Sequence, residues 1–150
     1  MSAPRFPIER DGVARLLPHA PPALMVDRVL SFDGQTIAAQ VYVDPGWTLF
    51  HGHFPSRPIL PGVILVEMIA QTGALIGCLS GVVAEGTFLA FTGIEKARFR
   101  RPVLPGETID LSATLDGERR GFYTFSGSAS VSDAAAAKVR FTAAQMSFDP

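Results

Sequence analysis

The run from Val63 to Leu79 is mostly apolar, and a carboxylate and an amide, Glu67 and Gln71, stand inside it. On a helical wheel Val63, Ile64, Leu65, Val66, Met68, Ile69, Leu75, Ile76 and Leu79 point in every direction, so a helix here must be wrapped by protein rather than laid on a surface. The run is short for a bilayer span and is interrupted by Glu67 and Gln71. It therefore reads as a buried helix, and no membrane segment is expected. Whatever this chain folds into has to enclose one central helix.

The flanking sequence supplies the wrapping. Leu24 to Phe32 and Thr36 to Val43 are rich in β-compatible residues and are separated by Asp33-Gly34, a strong hairpin signal. After the helix, Phe88 to Phe99, Thr108 to Leu115, Gly121 to Ser132 and Lys138 to Phe148 read as four strands forming a mostly antiparallel meander. Turns are expected at Pro105-Gly106, Asp116-Gly117, Ser132-Asp133 and the alanine run Ala134 to Ala137. Gly12 to Leu17 predicts a short amphipathic helix stopped by Pro18. Asp44 to Gly62, dense in Pro, Gly, His and Phe, predicts a long ordered loop, and such loops are often functional. The fold class is α+β: a curved, mostly antiparallel six-stranded sheet around one long helix.

At 150 residues the chain fits a single domain spanning 1–150. Its hydrophobic content of 47% with 18% charged residues describes an ordinary globular protein. Lys and Arg total 13 against 14 Asp and Glu, a net charge of −1 that offers no overall attraction to nucleic acid. The one cysteine, Cys78, has no partner in the chain and reads as a small core hydrophobe. The stretch from Met1 to Gly12 lacks an apolar signal core, so a cytoplasmic location is expected.

The chemistry centres on the helix. Glu is rarely buried without a partner, and Glu67 and Gln71, four residues apart, share one helix face, where the amide can hydrogen-bond the carboxyl group. The preceding loop carries His51-Gly52-His53, which can bring an imidazole towards that face. Histidine and carboxyl together suit proton abstraction and donation. Two plainer readings stand beside this. Glu67 and Gln71 can simply satisfy buried backbone, with His53 held for packing; or His51, His53 and Glu67 can ligate a metal, although no Cys or Asp cluster completes that set.

The segment His53-Phe-Pro-Ser-Arg-Pro-Ile-Leu-Pro-Gly62-Val-Ile-Leu-Val-Glu67-Met-Ile-Ala-Gln71 resembles the active-site signature of FabZ-type 3-hydroxyacyl-acyl-carrier-protein dehydratases, a family of hot-dog fold. Leu17-Pro-His, Val26-Asp-Arg-Val, Gly93-Ile-Glu-Lys-Ala-Arg-Phe-Arg-Arg-Pro-Val and Pro105-Gly follow the same pattern in order, from about Ile8 to Phe148. The resemblance implies His53 as catalytic base, Glu67 as catalytic acid, Gln71 as the amide orienting the acid, and Gly62 as the backbone N–H that binds the thioester carbonyl. At the start of a helix, Gly62 also has the free N–H and positive dipole end that suit developing negative charge. Burial of Glu67 would favour the protonated form that donation requires.

The implied reaction yields a trans-2-enoyl thioester and needs no metal or redox cofactor, the substrate riding on the phosphopantetheine of acyl-carrier protein. The implied assembly is a homodimer with shared sites, or a hexamer as a trimer of dimers. Lys96, Arg98 and Arg100 alternate and so share one strand face, with Arg101 beside them, a strip able to dock an acidic carrier protein or simply a solvated face. His19 and His51 read as structural. The departures from the family pattern are Ser56, where glycine is usual and a positive φ would cost about 1 kcal/mol, the His19-Ala-Pro-Pro-Ala23-Leu stretch, and Thr92. Rival readings are an acyl-CoA thioesterase on the same fold and a non-catalytic acyl-carrier-binding paralogue.

Overall fold

A computed structural model describes residues 3–149. In chain order the elements are α1 (Arg10–Leu16), β1 (Arg28–Phe32), β2 (Thr36–Tyr42), a 3-10 turn (Thr48–His51), α2 (Gly62–Ser80), β3 (Thr87–Phe99), β4 (Thr108–Arg119), β5 (Phe122–Val131) and β6 (Ala134–Ser147). All six strands join one antiparallel sheet in the order β1-β2-β4-β5-β6-β3. The α+β architecture expected from the sequence is therefore present, with α2 packed on β2, β3, β4, β5 and β6. Five strands at about 4.8 Å spacing are wider than a helix of about 10–12 Å diameter, so the sheet has to bend around α2 to reach it from both sides.

Three details differ from the sequence expectation. The four later strands do not form a simple meander, because β3 pairs with β6 at the far edge and β4 crosses back to pair with β2. Asp116-Gly117 is not a turn. β4 runs through it with a bulge between Leu115 and Gly117 and ends at Arg120-Gly121, whose φ values of 55° and 83° turn the chain in the hand that matches strand twist. The alanine run is the start of β6, where Ala134 and Ala135 pair with Val131 and Ser130 of β5 and Ala137 lies between Phe99 and Ala129, so sheet pairing overrides alanine's weak strand preference.

Other local signals act as expected. Asp33 accepts hydrogen bonds from the N–H groups of Gln35 (2.9 Å) and Thr36 (2.8 Å), closing the β1–β2 hairpin, with Gly34 at φ 100°. Those bonds hold the Asp33 carboxyl below its ordinary value. Gly81, at φ 78°, ends α2 in the left-handed region. Ser56 does not adopt a positive φ, so the strain considered for it does not arise.

Leu65, Met68, Ile69, Thr72, Leu75 and Ile76 of α2 are buried in the core with Val41, Ile109, Leu111, Phe125 and Phe141 of the sheet. Each large apolar side chain buried there contributes about 1.5–3 kcal/mol. Gly73 lets the helix approach closely, since a Cβ there would meet the Phe141 ring at 2.9 Å. The other side of α2 is less covered than its all-round apolarity predicts: Val63 is 71% exposed, and Glu67, Ala70, Ala74 and Cys78 form a half-covered stripe. By length and composition α2 would pass for a membrane span, yet it is the core helix of this sheet.

Candidate active site

The segment between α1 and β1 crosses α2 and is latched to it by Gln71. The Met25 N–H donates to Gln71 Oε1 (2.9 Å), and Gln71 Nε2 donates to the Ala23 carbonyl (2.8 Å) and to Glu67 Oε2 (2.8 Å). The two backbone partners fix which end of the amide is nitrogen, so the group facing Glu67 is an N–H donor. Gln71 is 1% exposed and fully partnered, which satisfies the rule that a buried amide must be hydrogen-bonded. Glu67 Oε2 is thereby an acceptor, and the proton of an acid form belongs on Oε1.

Glu67 and Gln71 line a hollow of about 340 Å³ with Ala70, Ala74, Phe88, Phe91 and His19. The Glu67 side chain is 38% exposed in the single chain, short of the dry surroundings expected for it. His19, read from the sequence as structural, stands with Nε2 at 3.7 Å from Glu67 Oε2. The Leu17-Pro-His19 pattern was the available signal, but nothing in the sequence says that this segment folds back over the helix.

His53 follows the 3-10 turn and lines a different hollow, of about 440 Å³, with Ile59, Leu60, Gly62, Leu65 and Phe99. Its Nδ1 lies 2.8 Å from the Ile59 carbonyl, while the Ile59 N–H donates to the His53 carbonyl at 2.9 Å. A carbonyl only accepts, so Nδ1 carries the proton and Nε2 presents a lone pair. Gly62 begins α2, where the first N–H groups have no helical acceptor, and a Cβ there would come within 2.9 Å of the Phe99 ring. Gly62 and His53 thus share one hollow, and Glu67, Gln71 and His19 another. One chain does not bring the two halves together.

His51 is exposed on the 3-10 turn, and among the described residues no three His, Cys, Asp or Glu side chains gather as a metal-ligand set, so His51, His53 and Glu67 do not form one. Cys78 is half-buried beside the Leu16 carbonyl, and burial pushes its thiol up. Thr92, at one of the departures from pattern, hydrogen-bonds Thr142 across the β3–β6 pair at 2.9 Å.

Lys96, Arg98 and Arg100 do share an outer face of the sheet, where they line a groove with Lys138 and Arg140 of β6. Those two cations were not singled out in the sequence, because strand pairing alone sets Arg140 opposite Lys96 and Lys138 opposite Arg98. Arg140 is also paired with Glu95 at 2.9 Å. Arg101 stands apart from this groove: its guanidinium holds Glu107 through both carboxylate oxygens, at 2.9 and 3.1 Å.

The model of the FabA-like domain matches residues 17–140. The chain is 40% identical over 139 residues to the 3-hydroxyacyl-[acyl-carrier-protein] dehydratase FabZ of Mannheimia succiniciproducens, covering 92% of this chain and 93% of that protein. It is also 40% identical over 145 residues to FabZ of Polynucleobacter necessarius, covering 96% of each. Among solved structures it resembles a dehydratase heterocomplex from Xenorhabdus doucetiae (TM-score 0.76, 20% identity, 97% of this chain and 94% of that one). A thioesterase from Haemophilus influenzae is similar in fold as well (TM-score 0.67, 18% identity, 95% and 94% covered). At such identities these structures speak for the hot-dog fold alone.

Proposed function

The chain belongs to the FabA-like family alongside the FabZ dehydratases, and from that premise we propose that it removes water from 3-hydroxyacyl groups on acyl-carrier protein, giving trans-2-enoyl thioesters for fatty-acid or related acyl-chain synthesis. The observation that carries the site assignment is the fixed proton geometry of its two groups: a base whose Nδ1 is engaged and which shares a hollow with Gly62 at the start of α2, and an acid whose Oε2 is reserved by Gln71. The Gly62 N–H polarises the thioester carbonyl and stabilises the enolate charge that develops. His53 Nε2 takes the C2 proton. As the C2–C3 double bond forms, the C3–O bond breaks and the departing oxygen takes the Oε1 proton of Glu67, leaving as water. His53 then loses a proton and Glu67 regains one, which resets the site. Carbon is not oxidised or reduced overall and the backbone N–H is the electrophile, so this route uses neither redox cofactor nor metal.

The acid and base meet across a two-fold axis in this reading, and β3 supports it. That strand forms one edge of the sheet and leaves Phe91, Ile94 and Phe99 exposed by 41%, 51% and 51%. Its start, Phe88 to Phe91, lines the Glu67 hollow, and its end, Phe99, lines the His53 hollow. Antiparallel pairing of two β3 edges about Ile94 sets the start of one strand beside the end of the other. Glu67 of one chain then faces His53 of its partner, and the second chain covers the exposed carboxyl. A hexamer of three dimers, as the resemblance implies, keeps this two-chain unit.

The groove of Lys96, Arg98, Arg100, Lys138 and Arg140 is the surface that suits an acidic carrier protein, and Arg101 lies outside it, lining the His53 hollow instead. A cytoplasmic location accompanies this reading. The deciding experiment offers the protein trans-2-enoyl acyl-carrier protein of several chain lengths and follows hydration by mass. A gain of one water supports the assignment, whereas release of free thiol points to a thioesterase, and binding without turnover to a non-catalytic paralogue.

A further inference from the structure

Glu67 Oε2 has two nitrogen neighbours, and the assigned chemistry uses only one of them. Gln71 donates at 2.8 Å, while His19 Nε2 stands at 3.7 Å, just outside hydrogen-bond range. On the other side of the imidazole, Nδ1 is buried and finds no hydrogen-bond partner among the described residues. A proton on Nδ1 would leave a buried donor unpaired and would aim the Nε2 lone pair at an oxygen already serving as an acceptor. A proton on Nε2 places a donor towards Oε2 and leaves only a lone pair unpartnered. The second tautomer is the one this surrounding favours. The ring is carried by the same Leu17 to Met25 segment that Gln71 clamps through Ala23 and Met25, so its approach to Glu67 is set by hydrogen bonds rather than by a free loop.

We infer that His19 is a positioning residue for Glu67, its Nε2–H closing onto Oε2 when the site is covered and substrate is bound. A movement of roughly 1 Å brings it into hydrogen-bond range. With two donors on Oε2, the acid proton is confined to Oε1, the oxygen left for the substrate. The negative charge that remains when that proton departs is then shared by two N–H groups, so the contact is stronger in the transition state than before it. His19 and Glu67 are the titratable groups in this hollow, and Arg15, Cys78 and Glu85 line the adjoining one that also touches His19.

The inference rests on Glu67 being the acid, and the test separates the two claims. His19→Gln keeps an N–H of similar reach, whereas His19→Leu fills similar volume without a donor. Both are compared with Glu67→Gln in the intact oligomer, using trans-2-enoyl acyl-carrier protein and circular dichroism to check folding. The expected result is a kcat about tenfold to a hundredfold lower in His19→Leu, KM little changed, and most of that loss recovered in His19→Gln. Equal activity of the Leu and Gln variants, whether both impaired or both normal, would assign His19 to packing or to nothing and overturn the inference. Full activity in Glu67→Gln would instead bring down the site assignment itself.

Discussion

Gln71 and Glu67, one helical turn apart on α2, are joined by a 2.8 Å hydrogen bond whose donor is identified by two backbone contacts on the far side of the amide. This small network ties the crossing segment, the helix and the Glu67 carboxyl into one unit. Replacing Gln71 with Leu should therefore cost both stability and turnover. It removes the partner of the Met25 N–H and of the Ala23 carbonyl, two part-buried groups, at a cost of about 1 kcal/mol for each hydrogen bond lost, and releases the carboxyl. A lowered melting temperature together with a reduced kcat checks this, and loss of neither would break the link.

His53→Ala and Glu67→Gln should each lower turnover by roughly two to four orders of magnitude, because each removes a proton-transfer partner. Neither substitution removes core volume, so unfolding midpoints should stay close to wild type. Steady-state hydration rates with circular dichroism decide the matter.

Mixing those two inactive chains under subunit exchange should restore activity if the site is shared. About half of the dimers in a random mixture pair unlike chains, each with one intact site and one lacking both groups, so activity should return to roughly one quarter of wild type. Verified exchange, by mass-tagged subunits, with no recovery would place both groups in one chain.

Gly62→Ala should damage catalysis more than folding. The new Cβ would meet the Phe99 ring at 2.9 Å, and that half-exposed ring can swing aside, yet in doing so it enters the hollow beside His53. A fall in kcat/KM with a nearly unchanged melting temperature is expected, and comparison of the two measurements tests it.

Arg98→Glu with Arg100→Glu should weaken use of acyl-carrier protein more than use of a short pantetheine thioester, since only the carrier presents an acidic surface to the groove. Equal losses with both substrates would move the docking surface elsewhere.

Much of this molecule is written locally in the sequence. The helix follows from an apolar run with Pro61-Gly62 at its start and Gly81 at its end, and the first hairpin from Asp33-Gly34. The contact between Glu67 and Gln71 follows from a four-residue spacing, which one helical turn converts directly into a hydrogen bond. What the tertiary structure decided is whatever depends on segments distant in sequence. Pairing with β5, joined by β3 from Ala137 onward, turned the Ala134 start of β6 into strand, and the return of β3 to the sheet edge set Lys138 and Arg140 among the cations of the outer groove. A single imidazole pattern, Leu17-Pro-His19, gives no hint that its ring reaches Glu67, because that proximity arises only when the segment is clamped across α2 by Gln71. Local geometry is set by backbone torsions and neighbouring residues, which a sequence displays; contacts between distant segments are set by how all the elements pack at once.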